Sequence, residues 1–201
     1  MAHQIDAILE FWFGEIEGGF TTTDRSQLWW MGNPEQDLLI GQQFGYLMEP
    51  ALGGELDHWA DAPRGRLALI ILLDQFTRNI YRGTAKAFSG DAKALGLCKE
   101  GIELGHDRKL AYTERTFFYM PLEHAEDLDA QERCIKQFQK LVQEVPDDRK
   151  EAAQGNLDFA HQHRNVIVRF GRFPHRNEAL GRSSSEEELE FLEQLSSRWG
   201  Q

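Results

Sequence analysis

Apolar residues recur at intervals of three and four positions through most of the chain. The first such run extends from Ile5 to Phe13 and is followed by Gly14. This spacing puts apolar side chains on one face of a helix, and glycine commonly follows a helix end. The pattern therefore predicts a short amphipathic helix over residues 4–13.

The same spacing, bounded by proline, glycine and capping residues, predicts further helices. Their predicted bounds are 34 to 49 or 53, 63–81, 85–104, 113–122, 129–145, 149–170 and 184–198. Residues 15–33 are rich in glycine and threonine, and we predict a loop that packs Trp29 and Trp30 on the core. Outside the apolar run described next, the chain does not show the alternation of apolar and polar residues that is typical of paired strands. The predicted fold class is therefore all-α, with antiparallel helical hairpins in a single domain over residues 1–201.

The segment Leu67–Leu73 is apolar at every position. Taken alone, it could form either a buried strand or a buried helix. Because partner strands are not evident elsewhere, we predict that it forms the central helix of the protein, buried on nearly all sides.

A polar cluster follows this run and contains Asp74, Arg78, Asn79 and Arg82. Four-residue spacing places Asp74 beside Arg78, and Arg78 beside Arg82, on a helix. One interpretation is a structural ion pair, because a carboxylate at the end of a buried helix must be paired. The other is a ligand site, because two arginines one turn apart attract an anion.

A second polar segment surrounds His124, which has Glu123 and Glu126 close by in the sequence. Carboxylates can orient an imidazole and raise its basicity, so these three residues are candidate catalytic residues. Pro121 predicts that the helix kinks or ends nearby. The alternative is a structural network in which buried polar groups satisfy one another.

Two histidines lie in the predicted helix over residues 149–170. His163 shares an apolar stripe with Ala160 and Ile167, whereas His161 lies off that stripe. We therefore predict that His163 points inward and His161 outward. An inward histidine is either a hydrogen-bonded core residue or a ligand-binding group, and His163 is retained as a candidate for ligand binding.

The segment 169–177 combines three arginines and a histidine with aromatic residues. Guanidinium groups fit carboxylates and phosphates, and neighbouring phenylalanines would exclude water from such contacts. Pro174 disfavours a helix here, so we predict a rigid loop. The candidate ligand-binding residues of this region are Arg169, Arg172, His175, Arg176, Asn177 and Arg182.

The net charge of -11 argues against a general nucleic-acid-binding protein. The apolar runs are too short to span a bilayer and the N-terminus has no signal-peptide pattern, so we expect a cytoplasmic protein without a membrane partner. Cys98 and Cys134 are predicted to be reduced, buried residues.

The candidate histidines and carboxylates lack the spacing of a metal motif, and phosphate-loop and nucleophile-elbow motifs are missing from the sequence. We therefore predict neither a metal nor a cofactor.

Residues 73–83, 120–127 and 170–177 with 180–182, together with 11–14, resemble motifs of the family catalogued as domain of unknown function 924. That family is bacterial and similar in fold to tetratricopeptide-like proteins, so the resemblance implies a right-handed array of helical hairpins around a concave face. The family has no established activity, so the resemblance implies no function. Thr77 stands where the family commonly has proline, and Ala125 where it commonly has serine. Ala125 argues against a mechanism that needs a hydroxyl beside His124.

The leading hypothesis is a concave pocket, formed where the three segments meet, that binds an anionic small molecule or peptide carboxylate. It predicts that Arg78, His124 and Arg172 face one pocket, with Arg82 and Arg176 also holding the anion. A second hypothesis is a hydrolase or lyase in which His124 is the general base and the arginines stabilise developing negative charge. A third is a protein-binding helical scaffold, by analogy of fold.

Overall fold

A computed structural model describes residues 2–194, and these residues are mostly helical, which confirms the predicted all-α class. The α-helices are α1 (Ala2–Phe13), α2 (Ser26–Trp30), α3 (Pro34–Phe44), α4 (Met48–Gly53), α5 (Pro63–Ile70), α6 (Thr77–Ile80), α7 (Asp91–Glu103), α8 (Tyr112–Glu123), α9 (Leu128–Glu144), α10 (Lys150–Phe170) and α11 (Glu186–Gln194). Short 3-10 turns lie at Gly45–Leu47, Asp57–Asp61, Ala85–Phe88, Asp107–Lys109, Asp147–Arg149 and Pro174–Arg176.

The region predicted as a loop over residues 15–33 contains α2 and a small β-hairpin. Strand β1 (Ile16–Glu17) pairs antiparallel with β2 (Phe20–Thr21). Gly18 and Gly19 form the turn with φ angles of 58° and 92°, a left-handed conformation that glycine adopts without strain. The expectation that the chain has no paired strands is therefore wrong here, because two-residue strands are too short to show an alternating pattern.

The predicted central helix over residues 63–81 has the expected extent but not a uniform geometry. It begins as α5, continues through a π-helical turn at Ile71–Phe76 and ends as α6. Every side chain from Leu67 to Phe76 is buried. Helix α5 packs against α1, α7 and α8, so the apolar run forms the centre of the core.

The helix predicted over residues 85–104 begins later, because a 3-10 turn precedes α7. Gly90 lies at this break and approaches the central helix closely. A Cβ atom at Gly90 would lie 2.2 Å from the carbonyl oxygen of Leu73. Only a glycine lets the two backbones approach this closely, so the contact fixes α7 beside the π-helical turn.

Three predicted boundaries are refined by the structure. The helix predicted from residue 34 is divided into α3 and α4, and Pro50 lies in the first turn of α4, where its missing N–H is not needed. Pro121 lies in the last turn of α8, which ends at Glu123. The final helix begins at Glu186, and residues 195–198 of its predicted extent lie outside the described residues.

The core is rich in aromatic side chains. Trp12 and Phe76 are in edge contact with ring centroids 5.6 Å apart, and Trp12 contacts Phe117 in the same way at 5.5 Å. Cys98 and Cys134 are buried free thiols, as predicted. In the part of the chain that the structure describes, no helix has the length and apolar character needed to cross a membrane.

Candidate functional site

A cavity of about 380 Å³ opens at the polar end of the central helix. Its polar lining residues are Gln75, Arg78, Asn79, Arg82, Thr116, Glu123, His124, Asn156 and His163. Its apolar and aromatic lining residues are Leu28, Trp29, Trp30, Met120, Phe138 and Phe159. Six of the residues proposed from the sequence therefore share one cavity, which also has an aromatic wall.

The π-helical turn supplies two successive polar residues at this end of the core, Asp74 and Gln75. A π-helical turn accommodates one more residue than an α-turn, so it changes the direction in which the following side chains point. Asp74 is fully buried behind the cavity, and Gln75 lines it. The Gln75 amide donates a hydrogen bond of 2.6 Å to the Asp74 carboxylate.

Asp74 is an ionised carboxylate held by several donors. Besides Gln75, it accepts a hydrogen bond from Nη1 of Arg78 at 3.3 Å and lies within hydrogen-bond distance of Nδ1 of His124. Burial by itself would raise the pKa of Asp74, but His124 and the positive charge of Arg78 hold it below the ordinary value. The pairing of Asp74 with Arg78, one of the two sequence-based interpretations, is therefore present in the structure.

His124 caps the C-terminal end of α8, and its Nδ1 lies 2.8 Å and 3.0 Å from the two carboxylate oxygens of Asp74. Because an ionised carboxylate only accepts hydrogen bonds, Nδ1 carries the proton. Burial and the charge of Arg78 lower the pKa of His124, so the ring is neutral at neutral pH. Nε2 consequently holds a lone pair, and none of the described residues donates a hydrogen bond to it.

Glu123, the neighbour of His124, also lines the cavity, but its pKa is shifted in the opposite direction. Burial and the negative charge of Asp74 raise the pKa of Glu123 to about 8. The Glu123 carboxyl is therefore protonated at neutral pH and can donate a proton. An uncharged acid and an uncharged base thus line one cavity from consecutive positions of the chain, and general acid–base chemistry uses such a pair.

His163 lines the cavity from α10 and is buried, whereas His161 is exposed, as predicted. Nδ1 of His163 donates a hydrogen bond of 2.9 Å to the carbonyl oxygen of Phe159 and lies 3.4 Å from Oε1 of Glu123. Burial lowers the pKa of His163 to about 3. This histidine is therefore neutral over the physiological range and contributes a fixed, uncharged surface beside Glu123.

Two arginines share one carboxylate beneath the cavity. Arg78 donates two hydrogen bonds to Asp91, at 2.9 Å and 3.0 Å, and Arg176 donates to Asp91 at 3.2 Å. The Arg176 guanidinium lies between the rings of Phe88 and Phe173, at 4.8 Å and 4.6 Å from their centroids. Burial and the charge of Arg78 lower the pKa of Arg176 to about 10. Arg176 therefore supports Arg78 from below and does not line the cavity.

Arg82 is paired as well. It donates two hydrogen bonds to the carboxylate of Asp37 on α3, at 2.7 Å and 3.0 Å, and Asn79 donates to the same carboxylate at 2.8 Å. The three arginines at and below the cavity are thus balanced by Asp37 and by the two aspartates already described. Their charges are neutralised within the protein.

The segments around His124 and Arg172 meet in space, as predicted, through Glu126. Its carboxylate accepts a hydrogen bond of 2.8 Å from the backbone N–H of Phe173 and two from Arg182, at 2.6 Å and 2.8 Å. Burial opposes ionisation, but these bonds lower the pKa of Glu126 below its ordinary value. Glu126 is therefore an anchor for the C-terminal segment and does not reach the cavity.

The prediction that Arg172 faces the same pocket as Arg78 and His124 is wrong. Arg172 donates two hydrogen bonds to Glu188 of α11, at 2.7 Å and 2.8 Å, on the outer side of the segment. Sequence alone could not reveal this pairing, because Glu188 lies in a separate helix. The proposed site residues that do not line the cavity are Asp74, which is buried behind it, and Glu126, Arg169, Arg172, His175, Arg176, Asn177 and Arg182.

The other residues of this segment hold the C-terminal chain together. Arg169 pairs with Glu187 on the surface at 2.8 Å. Asn177 is buried and accepts a hydrogen bond of 2.9 Å from Nε of Arg182. The ring of His175 packs against Phe173, with centroids 5.5 Å apart. In the part of the chain that the structure describes, these contacts hold the arginine-rich segment in place.

The aromatic wall of the cavity was not recognised from the sequence. Trp29 donates its indole N–H to the carbonyl oxygen of Trp12 at 3.0 Å, and Trp30 stacks on Phe117 with centroids 5.6 Å apart. Trp30 nevertheless remains 46% exposed, and Phe159 is 51% exposed. The prediction that Trp29 and Trp30 pack on the core is confirmed, since both rings contact the buried Phe117, but their sequence context gives no sign that they also border a cavity.

Among residues 2–194, no group of three histidine, cysteine, aspartate or glutamate side chains is arranged to hold a metal ion.

The fold and the site define a helical protein with a small-molecule-sized cavity and a buried acid–base cluster. A model of the family described as "Bacterial protein of unknown function (DUF924)" matches residues 8–196, and the chain belongs to this family. A solved structure of a protein of unknown function, ATU0120 from Agrobacterium tumefaciens, is similar to this chain at 34% identity with a TM-score of 0.82. The similarity covers 96% of this chain and 99% of that protein. The comparison with curated proteins finds no match.

Proposed function

We propose that this protein binds an uncharged polar group of a small molecule in the cavity and carries out acid–base chemistry on it. His124 is the general base and Glu123 is the general acid. This proposal develops the second sequence-based hypothesis, a hydrolase or lyase with His124 as base.

The observation that carries the proposal is the contact between Asp74 and His124. The buried carboxylate holds Nδ1 of the imidazole at 2.8 Å, which fixes the tautomer and leaves the lone pair of Nε2 available. A structural histidine would be expected to use both ring nitrogens in hydrogen bonds. Here one nitrogen is bonded in the interior, and the ring lines a cavity large enough for a ligand.

The reaction class that fits these two groups best is hydrolysis. Nε2 of His124 would take a proton from water while the water oxygen forms a bond to a carbonyl carbon. Glu123 would give its proton to the leaving atom as the bond to that carbon breaks. A proton then returns from His124 to Glu123, so one water is consumed and both groups recover their starting states.

The ion pairs bear on the charge of the ligand. The leading sequence-based hypothesis was an anion held by Arg78, Arg82, Arg172 and Arg176. In the structure each of these arginines has a carboxylate partner, with Arg78 and Arg176 sharing Asp91. An incoming anion would have to displace a carboxylate already in place, so the geometry supports an uncharged ligand better.

We further propose the tetratricopeptide-like arrangement and the cytoplasmic location that the sequence led us to expect. Helix α9 packs against both α8 and α10, and α7 packs against α8, which supports an array of consecutive hairpins. Such arrays often bind proteins, but a cavity with a buried acid and base supports a small-molecule ligand.

The proposal can be tested with p-nitroanilides and p-nitrophenyl esters of short acids. We expect the wild type to hydrolyse members of this panel and His124→Gln to lose about a hundredfold or more in rate. His161→Gln changes an exposed histidine on α10 and is the matched control, which should keep the wild-type rate. Equal rates for His124→Gln and the wild type would contradict the assignment of the base.

A further inference from the structure

The cavity described above adjoins a second one of about 240 Å³. Both cavities are lined by Trp29, Trp30, Thr116, Phe138 and Asn156. Because these five residues border both spaces, the two cavities are immediate neighbours.

The β-hairpin and the N-terminal end of α8 form one wall of the second cavity. Phe20 stacks on Tyr112 with ring centroids 5.3 Å apart, and the backbone N–H of Thr113 donates to the carbonyl oxygen of Gly19 at 3.2 Å. A Cβ atom at Gly19 would lie 2.7 Å from the Tyr112 ring. The hairpin therefore fits tightly against α8 and is a built wall of the cavity.

The lining of this cavity is more apolar than polar, and its uncharged polar residues are Thr21, Thr113, Thr116 and Asn156. Its remaining walls include Leu141 and Val145 of the α9 end and the small residues Ala152 and Ala153 of α10. One charged residue, Arg149, is among its lining residues, and the Arg149 guanidinium lies over the Phe20 ring, 4.8 Å from the centroid. Such a surface gains free energy by covering an apolar chain and offers little to a charged group.

We infer that the substrate has two parts: an uncharged hydrogen-bonding head, such as an amide or ester, and an apolar chain that occupies the second cavity. This inference rests on the proposed function for the position of the head, next to Glu123 and His124. The chain extends past Trp29 and Trp30 and ends between the hairpin and α10.

The probes for this inference are butanamide, hexanamide and octanamide, which share one head and differ in chain length. Binding is measured by titration calorimetry and by the fluorescence of the tryptophans that border both cavities. In the wild type we expect the dissociation constant to fall by about tenfold for each pair of added methylene groups.

Ala153→Phe places a ring in the second cavity, so octanamide should bind this variant no more tightly than butanamide does, while butanamide binds as in the wild type. Gln162→Phe adds the same ring to an exposed position of α10 and should keep the full dependence on chain length. Ala152→Phe fills the same wall and replaces Ala153→Phe if that variant does not fold.

The outcomes separate the two claims. If butanamide binds the wild type and binding is weakened by His124→Gln, but octanamide binds no more tightly, the two-part substrate is wrong and the proposed function stands. The two-part substrate is also wrong if the Ala153→Phe and Ala152→Phe proteins keep the full gain. If butanamide does not bind, or binds His124→Gln as tightly as the wild type, the head site and the proposed function both fail.

Discussion

Glu123 and Glu126 are only three residues apart in the sequence, yet they lie in two regions that shift the pKa of a glutamate in opposite directions. Glu123 faces the cavity, and burial together with Asp74 raises its pKa to about 8. Glu126 is also partly buried, but the hydrogen bonds from Arg182 and Phe173 lower its pKa. The cavity region keeps an acid and a base available, whereas the arginine-rich segment uses its charges to fasten the C-terminal chain. A charged residue among aromatic residues can therefore belong to a binding site or to a structural contact. Its hydrogen-bond and ion-pair partners show which of the two roles it has.

The largest effect is expected from Asp74→Ala in the cavity region. This change removes the acceptor of Gln75 and His124 and one acceptor of Arg78, all in the interior. We expect a loss of about 3 to 5 kcal/mol in the free energy of unfolding, because breaking a buried network leaves donors without a partner. Urea denaturation measures the loss. Glu186→Ala, at an exposed position, is the control, and equal midpoints for the two variants would show that Asp74 is not a buried anchor.

The contrast between the two glutamates predicts opposite pH dependences of stability. The folded protein keeps the Glu123 proton up to about pH 8, while the unfolded chain releases it near the ordinary value of 4.5. The wild type should therefore lose about 5 kcal/mol relative to Glu123→Gln as the pH rises from below 4.5 to above 8.

Glu126→Gln is the matched variant and should behave in the opposite way. Because the folded-state pKa of Glu126 is lowered, the advantage of the wild type over Glu126→Gln is present above the ordinary pKa of 4.5. It should disappear as the pH falls through the folded-state pKa. Urea melts across this pH range test both variants, and parallel profiles would remove the proposed difference between the two regions.

The smallest effect is expected in the arginine-rich segment, at Arg172. This residue pairs with Glu188 but is partly exposed, so Arg172→Ala should cost about 1 kcal/mol or less of unfolding free energy. The affinity for butanamide should not change, because Arg172 does not line the cavity. A marked loss of butanamide binding in this variant would return Arg172 to the ligand site.

Much of the fold could be predicted from the sequence. The apolar run before Asp74, with no partner strands evident elsewhere, indicates a buried helix, and the four-residue spacing from Asp74 to Arg78 predicts their ion pair. The inward direction of His163 followed from its position in an apolar stripe. These features depend on local spacing, which a sequence displays directly.

The features that could not be predicted depend on distant partners. The π-helical turn that positions Asp74 and Gln75 leaves no mark in the apolar pattern. Asp91 and Asp37 neutralise Arg78 and Arg82 from other parts of the chain, so the charge of the cavity could not be deduced from the arginines themselves. Trp30 packs one face of its ring on Phe117, which is distant in the sequence, and the side chain remains partly exposed at the cavity.

The central claim is that His124 is a neutral base with its proton on Nδ1 and its lone pair on Nε2. Nitrogen-15 NMR of the histidine side chains measures this directly, with His124→Gln identifying the signal. At neutral pH the account predicts a protonated Nδ1 and an unprotonated Nε2, and a change in the Nε2 shift when butanamide binds. A proton on Nε2, a cationic ring, or an Nε2 signal that butanamide leaves unchanged would contradict it.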